Sequence, residues 1–272
     1  MPLALCATPI GNLDDVTLRV LRELREAGLV LCEDTRRTRT LLRRHGVQAR
    51  LASYHAHNEA ARTAEVVPRL EAGERIALVS DAGLPGVNDP GMRLLAAALD
   101  AGVAVTVLPG PSAVETALVA SGLAGEGYVF AGFVPRAERR RRQLWEEARD
   151  AALTLVAFES PRRLPATLAS LSTVLPERRA AVCRELTKQF EEVARGTAAE
   201  LAARFATPPK GEITLVVAGS AGVGGPRAAP DVDAAAAAVR EMVAGGLPRR
   251  QAVELAARLT GLSRNVLYDA SL

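Results

Sequence analysis

Residues 76–91, IALVSDAGLPGVNDPG, decide how this chain is to be read. Four apolar residues run directly into a segment holding three glycines and two prolines, among which stand Asp81, Asn88 and Asp89. An unbroken apolar run is the mark of a strand buried on both faces, and such strands belong to parallel sheets covered by helices. In a doubly wound sheet, ligands gather beyond the carboxyl ends of the strands. A loop this rich in glycine is more than a connection requires there: Gly83 and Gly86 let backbone approach a ligand, and Asp81 accepts hydrogen bonds. The plainer alternative is an elaborate turn in which Asp89 and Pro90 open the next helix.

The pattern repeats on either side. Strands are expected at Leu3–Ala7, Leu29–Cys32, Leu51–Ser53, Ile76–Ser80 and Val103–Leu108, and helices at Val16–Ala27, Arg37–His45, Glu59–Ala72 and Met92–Ala101. That alternation predicts a mostly parallel sheet with helices on both faces. Further strands at Tyr128–Gly132, Leu153–Glu159, Ala180–Arg184 and Ile213–Ala218 predict a second α/β domain. The Gly/Pro/Ala run that follows Ala218 is a linker, and beyond it come two or three short helices broken at Gly245-Gly246 and Thr260-Gly261. The expected division is residues 1–111, residues 112–220, a linker at 221–230 and a helical appendage at 231–272; a helix-turn-helix look in the appendage is a weak signal beside plain helix packing.

Composition narrows the function classes. Segment 36–44 carries five arginines and no acid, and segment 136–142 carries five arginines and one glutamate, against a whole-chain charge of +3, so the remainder is −6. Two basic patches on an acidic body suit a polyanionic partner, where clustered arginine meets phosphate; the bland reading is a solvated helix face. The first residues lack the basic region and long apolar run of a secretory signal, and no stretch reaches the roughly 20 apolar residues that span a bilayer. Cys6, Cys32 and Cys183 sit in apolar runs and read as buried thiols in a reducing cytoplasm.

Two more strand ends invite a ligand. ATPIGN (7–12) is a tight turn, yet G-x-G-x-x-G and Walker A patterns are absent, so the dinucleotide and phosphate-loop readings fail. In PGPSA (109–113), Ser112 followed by Glu115 predicts a capping box, at a helix start whose amides equally suit a carboxylate.

ATPIGNLDDVTLR, CEDTRRTRTLL, SYHAHNE, VSDAGLPGVNDPG, LPGPSA, FESPRRL, CRELTK, GT and PKGE follow one another in a family's order and spacing. Together they make the chain resemble the small-subunit ribosomal RNA methyltransferases that modify a cytidine 2′-hydroxyl, members of the tetrapyrrole-methylase fold class. The resemblance covers nearly the whole chain. It implies two α/β domains per subunit with S-adenosylmethionine in the cleft between them, a homodimer, and small-subunit rRNA or the 30S subunit as substrate. It further implies cofactor contacts from Ile10, Asp81, Gly83, Leu84, Ser112, Ala113 and Phe158. Position 84 is leucine where the family pattern has threonine, which a backbone contact survives and a hydroxyl contact does not.

Methyl transfer to a ribose hydroxyl needs alignment and a nearby base or cation. Glu33, Asp34, Glu185 and Lys188 stand near strand ends; Lys188 and Glu185 are the preferred pair, although Asp34 suits a helix cap and Glu185 a partner for Arg184 or Arg162. His55 and His57, two apart, would share one face of an extended strand, but further ligands are wanting and no metal is expected. Arg36, Arg39 and Arg43 fall on one side of a helix with Arg37 adjacent, and with Arg139, Arg140 and their neighbours to Arg142 they are expected to grip RNA phosphates. The alternatives are methylation of a tetrapyrrole or other small molecule, and a non-catalytic ribosome-assembly factor.

Overall fold

The computed structural model describes residues 2–220, 232–260 and 262–271, and the chain divides into two compact units, residues 1–220 and 221–272. The larger unit holds two five-stranded sheets. In the first, β1 (Leu3–Cys6), β2 (Leu29–Cys32), β3 (Leu51–Ser53), β4 (Ile76–Val79) and β5 (Val105–Leu108) lie in the order β3-β2-β4-β1-β5, every pair parallel. The helices α1 (Leu18–Glu26), α2 (Thr35–Arg44), α3 (Glu59–Glu71) and α4 (Met92–Asp100) alternate with them.

The unbroken apolar strands follow from burial on both faces. Ala4, Cys6, Val30, Cys32, Ala77 and Val79 meet Val20, Leu24, Leu41 and Leu42 of α1 and α2. Their neighbours Leu3, Leu5, Leu29, Leu31, Ile76 and Leu78 meet Val66, Leu70, Leu94 and Ala98 of α3 and α4. Each large aliphatic so buried contributes roughly 1.5–3 kcal/mol. Asp34 caps α2, its carboxylate accepting the Arg36 N–H at 2.8 Å, as its position in the sequence suggests. All three cysteines are buried and unpaired.

The second half contains α5 (Ala113–Ser121), β6 (Tyr128–Phe133), α6 (Glu138–Glu147), β7 (Thr154–Glu159), α7 (Leu164–Val174), β8 (Arg179–Arg184), β9 (Glu192–Thr197), α8 (Ala198–Arg204) and β10 (Ile213–Val217). Its sheet runs β6-β7-β10-β8-β9, with β6 and β7 parallel and the other pairs antiparallel. β9 is absent from the sequence expectation because EVARGT holds two charges and a glycine; as the edge strand beside β8 it does not need an apolar run. Leu155, Ala157, Val182 and Leu215 pack on Trp145, Leu164, Leu168, Leu201 and Phe205. α5 packs on the opposite face, and Phe158, Cys183, Ile213 and Thr214 of that sheet line a cleft.

The smaller unit has α9 (Val232–Ala244), α10 (Arg249–Thr260) and α11 (Arg264–Ala270) around Ala235, Val239, Ala252, Val253, Ala256 and Leu267. Gly246, at φ +95°, lies in the break after α9. The expected linker at 221–230 lies outside the described residues.

Candidate active site

Three strand ends build one wall of a cleft. After β1, Thr8 exchanges backbone hydrogen bonds with Gly83 after β4 (2.8 and 3.1 Å), and its hydroxyl donates to the Ser80 carbonyl at 3.0 Å. After β5, Gly110 passes so close that a Cβ there would stand 2.8 Å from that of Ala7. The second half of the unit touches this wall at Gly11, whose Cβ would fall 2.8 Å from the Leu186 carbonyl, and at Asn12, whose N–H donates to the Thr187 hydroxyl at 2.9 Å.

The cleft between the sheets measures about 1040 Å³. Ile10, Asp81, Gly83, Leu84, Ser112, Ala113 and Phe158 all line it. Asp81 accepts the Asp34 N–H at 3.0 Å and lies 3.5 Å from the Arg37 guanidinium, so its carboxylate is held in place with capacity to spare. The capping box does not form: the Ser112 hydroxyl donates to the Glu115 side chain instead of accepting an amide, and Glu115 also takes the Tyr128 hydroxyl at 2.6 Å. These two hydrogen bonds hold the Glu115 carboxyl below its usual range. The first-turn N–H groups of Ala113 and Val114 are thereby left bordering the cleft.

Asp89 does not open a helix either; α4 begins at Met92 with Gly91 before it and no side-chain cap. Asp89 lines the cleft, and burial together with the neighbouring charge of Glu33 lifts its carboxyl to about 6, against a hydrogen bond from Ser80.

Lys188 and Glu185 lie one step away. Lys188 lines an adjoining pocket of about 350 Å³ that shares Ile10, Arg37, Asp81 and Glu212 with the cleft. Its ammonium bonds Glu185 and Glu212, each at 2.9 Å. Burial works to lower its pKa, yet the two carboxylates outweigh it and the net shift is upward, so Lys188 holds its proton. Glu185 lines neither pocket: it pairs with Lys188 and accepts the Glu212 N–H, while Arg184 pairs with Glu192. Glu185 positions the lysine and is not the partner of Arg184 or Arg162 that its neighbours suggest.

His55 and His57 lie in a turn after β3, with rings 5.9 Å apart and edge to face, rather than on an extended strand. Among the described residues no group of three potential ligands is poised for a metal. Of the arginines, Arg36 is bound to Asp34, which it holds at about 2, and Arg37 faces Asp81. Arg39, Arg43, Arg139 and Arg140 are exposed and form no ion pair with described residues. Arg141 is buried against Glu138 and drops out of the expected phosphate grip.

Sequence reasoning missed Asp89 and the aromatic wall formed by Tyr128, Phe130 and Phe133 beside Phe158. The segment YVFAGF (128–133) carries that signal, three aromatics in six residues of a chain only 3% aromatic. The cleft lining sets the carboxylates Asp81, Asp89, Glu115, Glu159 and Glu212 against the single cation Arg37. Such a lining favours cationic or neutral organic ligands and repels phosphate.

The comparisons agree with this architecture. Residues 2–202 match the family described as Tetrapyrrole (Corrin/Porphyrin) Methylases, and residues 228–272 match the RsmI C-terminal HTH domain. A protein of Micromonospora olivasterospora named "Ribosomal RNA small subunit methyltransferase I" is 45% identical over 98% of this chain and 85% of its own length. A Synechocystis protein of the same name is 43% identical over 99% and 97%. The solved structure of the methyltransferase CobJ covers 80% of this chain and 94% of its own with TM-score 0.60 at 20% identity, a likeness of fold. With a matching family domain over most of its length and relatives above 40% identity end to end, the chain belongs to the tetrapyrrole (corrin/porphyrin) methylases and, among them, to the ribosomal RNA small subunit methyltransferase I family.

Proposed function

We propose that this methyltransferase transfers the methyl group of S-adenosylmethionine to the 2′-oxygen of a cytidine ribose in small-subunit (16S) ribosomal RNA. The observation that carries this reading is the charge division: acids line the cleft, while free arginines stand on α2 and α6. The donor set fits S-adenosylmethionine, a ligand with a sulfonium and an ammonium, better than any nucleotide phosphate. Asp81 would take its hydroxyl or amino donors, the first-turn amides of α5 its carboxylate, and Ile10, Gly83, Leu84 and Phe158 its apolar surface. When bound, it supplies an electrophilic methyl group.

The chain's own residues do the remaining work. Asp89, a carboxyl inside the cleft, accepts the proton that the 2′-hydroxyl releases. Lys188, held by Glu185, supplies a fixed positive charge beside Asp81 and Glu212. The portions 1–111 and 112–220 act as the two walls. Exposed Val107 on edge strand β5 and Val129 on edge strand β6, with Leu99 and Val119 nearby in sequence, favour a homodimer; sedimentation giving a mass of a single 28.6 kDa chain at micromolar concentration would remove that part. An rRNA substrate, free or within the 30S subunit, is consistent with a cytoplasmic enzyme.

The test is tritiated-methyl transfer to 30S subunits lacking their own modifications, with the labelled nucleoside mapped. Label in 2′-O-methylcytidine is expected; no label, with calorimetric cofactor binding intact, turns the reading toward a small-molecule substrate. RNA grip is tested separately. The double charge reversal Arg39→Glu/Arg43→Glu is expected to weaken RNA binding and reduce the slope of log affinity against log salt by about 2. An unchanged slope removes α2 from the RNA interface.

A further inference from the structure

We infer that the exposed ring of Phe133 is the platform on which the target cytosine stacks after its nucleotide is drawn out of the RNA. The inference rests on the reading of function above and names how that site takes its substrate.

The chain has one Trp, three Tyr and five Phe, and four of these nine (Tyr128, Phe130, Phe133 and Phe158) line one cleft. The placing of Phe133 takes a specific backbone device. β6 pairs with β7 as Phe130 with Val156, and then as Phe133 with Phe158: three steps along β6 against two along β7. In a regular strand, residues three apart point to opposite faces. The extra residue here is taken up where Gly132 adopts φ +68°, a left-handed conformation that glycine holds without strain. Alternation is thereby reset: Ala131 and Val134 both pack in the core under the sheet, and Phe130 and Phe133 both meet Phe158, at ring-centroid distances of 5.0 and 5.6 Å. A bulge beside a site re-aims a side chain, and this one turns a phenyl ring into the cleft.

The residue so placed, Phe133, is 57% exposed. Phe130 and Phe158, both more buried, brace it from within, and apolar surface of Phe133 stays open to the cleft. The acids lining the cleft oppose entry of a phosphate backbone. A nucleoside portion enters when its nucleotide rotates out and the phosphates stay at the rim, the solution used by enzymes that act on one nucleotide within a helix. A pyrimidine is neutral, flat and sequence-tolerant in stacking, with roughly 1–3 kcal/mol lost per base when an aromatic platform becomes alanine. Asn88, whose carboxamide oxygen lies 3.1 Å from where a Gly132 Cβ would stand, offers a donor and an acceptor beside the ring.

The test uses Phe133→Ala, Phe133→Trp and Gly132→Ala in the full chain. With protein saturated by S-adenosylhomocysteine, added cytidine should show upfield shifts of its H5 and H6 resonances with wild type and with Phe133→Trp. These shifts should be absent with Phe133→Ala. On 30S subunits, Phe133→Ala should lose roughly 10- to 100-fold in kcat/KM while S-adenosylhomocysteine affinity stays within about twofold. Gly132→Ala should follow it, although it keeps the ring.

Unchanged cytidine resonances and kcat/KM in Phe133→Ala overturn the inference. So does a loss of S-adenosylhomocysteine affinity matching the loss of rate, because the ring then serves the cofactor's adenine. If wild type labels no 30S RNA, the proposed function fails, and the cytidine resonances alone decide this inference.

Discussion

Gly11→Ala is expected to destabilise the protein by about 1–3 kcal/mol and to cut S-adenosylhomocysteine affinity at least tenfold, although it adds one methyl group. The added Cβ would stand 2.6 Å from Lys188 Cγ, 2.6 Å from the Thr187 hydroxyl and 2.8 Å from the Leu186 carbonyl oxygen. A lysine methylene can swing aside. The carbonyl cannot, because Glu185 and Thr187 on either side are held at positive φ and their loop is tied down by hydrogen bonds to Glu212 and Glu191. The β1 turn and the 186–188 loop therefore part, and Ile10 moves with the turn. Gly73→Ala is the control: its φ of +86° strains a side chain, yet nothing lies within 4 Å. It should lose stability and keep its affinity. Calorimetric titration of both variants, with denaturant unfolding, measures the difference; wild-type affinity in Gly11→Ala would show that the contact does not shape the cleft.

Asp89→Asn is expected to lower the methyl-transfer rate on 30S subunits by roughly 10²- to 10⁴-fold, the range that a positioned proton acceptor contributes. The pH dependence follows from its environment. Burial, Glu33 and Asp81 raise the carboxyl from 3.8 to about 6, against a hydrogen bond from Ser80. Only the ionised form accepts a proton, so wild-type kcat/KM should rise as pH passes through about 6 and level off above it. The asparagine variant should lack that acid limb. Stability runs the other way: with the folded-state value raised, the group's contribution is complete below 3.8 and is lost as pH rises through about 6. Asp89→Asn should accordingly gain stability relative to wild type at pH 7 and little at pH 4. A variant retaining both rate and acid limb would assign proton acceptance elsewhere.

How much of this was legible beforehand differs residue by residue. Asp81, Gly83 and the turn at Ser112, which line the cleft, were readable because turns at the ends of buried parallel strands face one edge of a sheet, whereas Ile10 came with the family resemblance. The Ser112/Glu115 pair was misread: a capping box is a local pattern, and Tyr128 on another element draws Glu115 away from it. Lys188 is singled out by the sequence, but its protonation depends on Glu212, 24 positions further along and brought near by a strand end.

From the sequence alone came the alternation of strands and helices apart from β9, the parallel first sheet, the buried thiols, the loops that bear the cleft, the arginine-rich helix α2 and the second arginine cluster. These rest on periodicity, turn chemistry and charge, which act over a few residues. Only the tertiary structure decided that the second sheet is mixed, that Asp89 shares its charge environment with Glu33, that Arg141 is buried, and that Phe133 turns inward at Gly132. Each of those depends on which distant segments meet, because burial and charge coupling are set by neighbours in space and not along the chain.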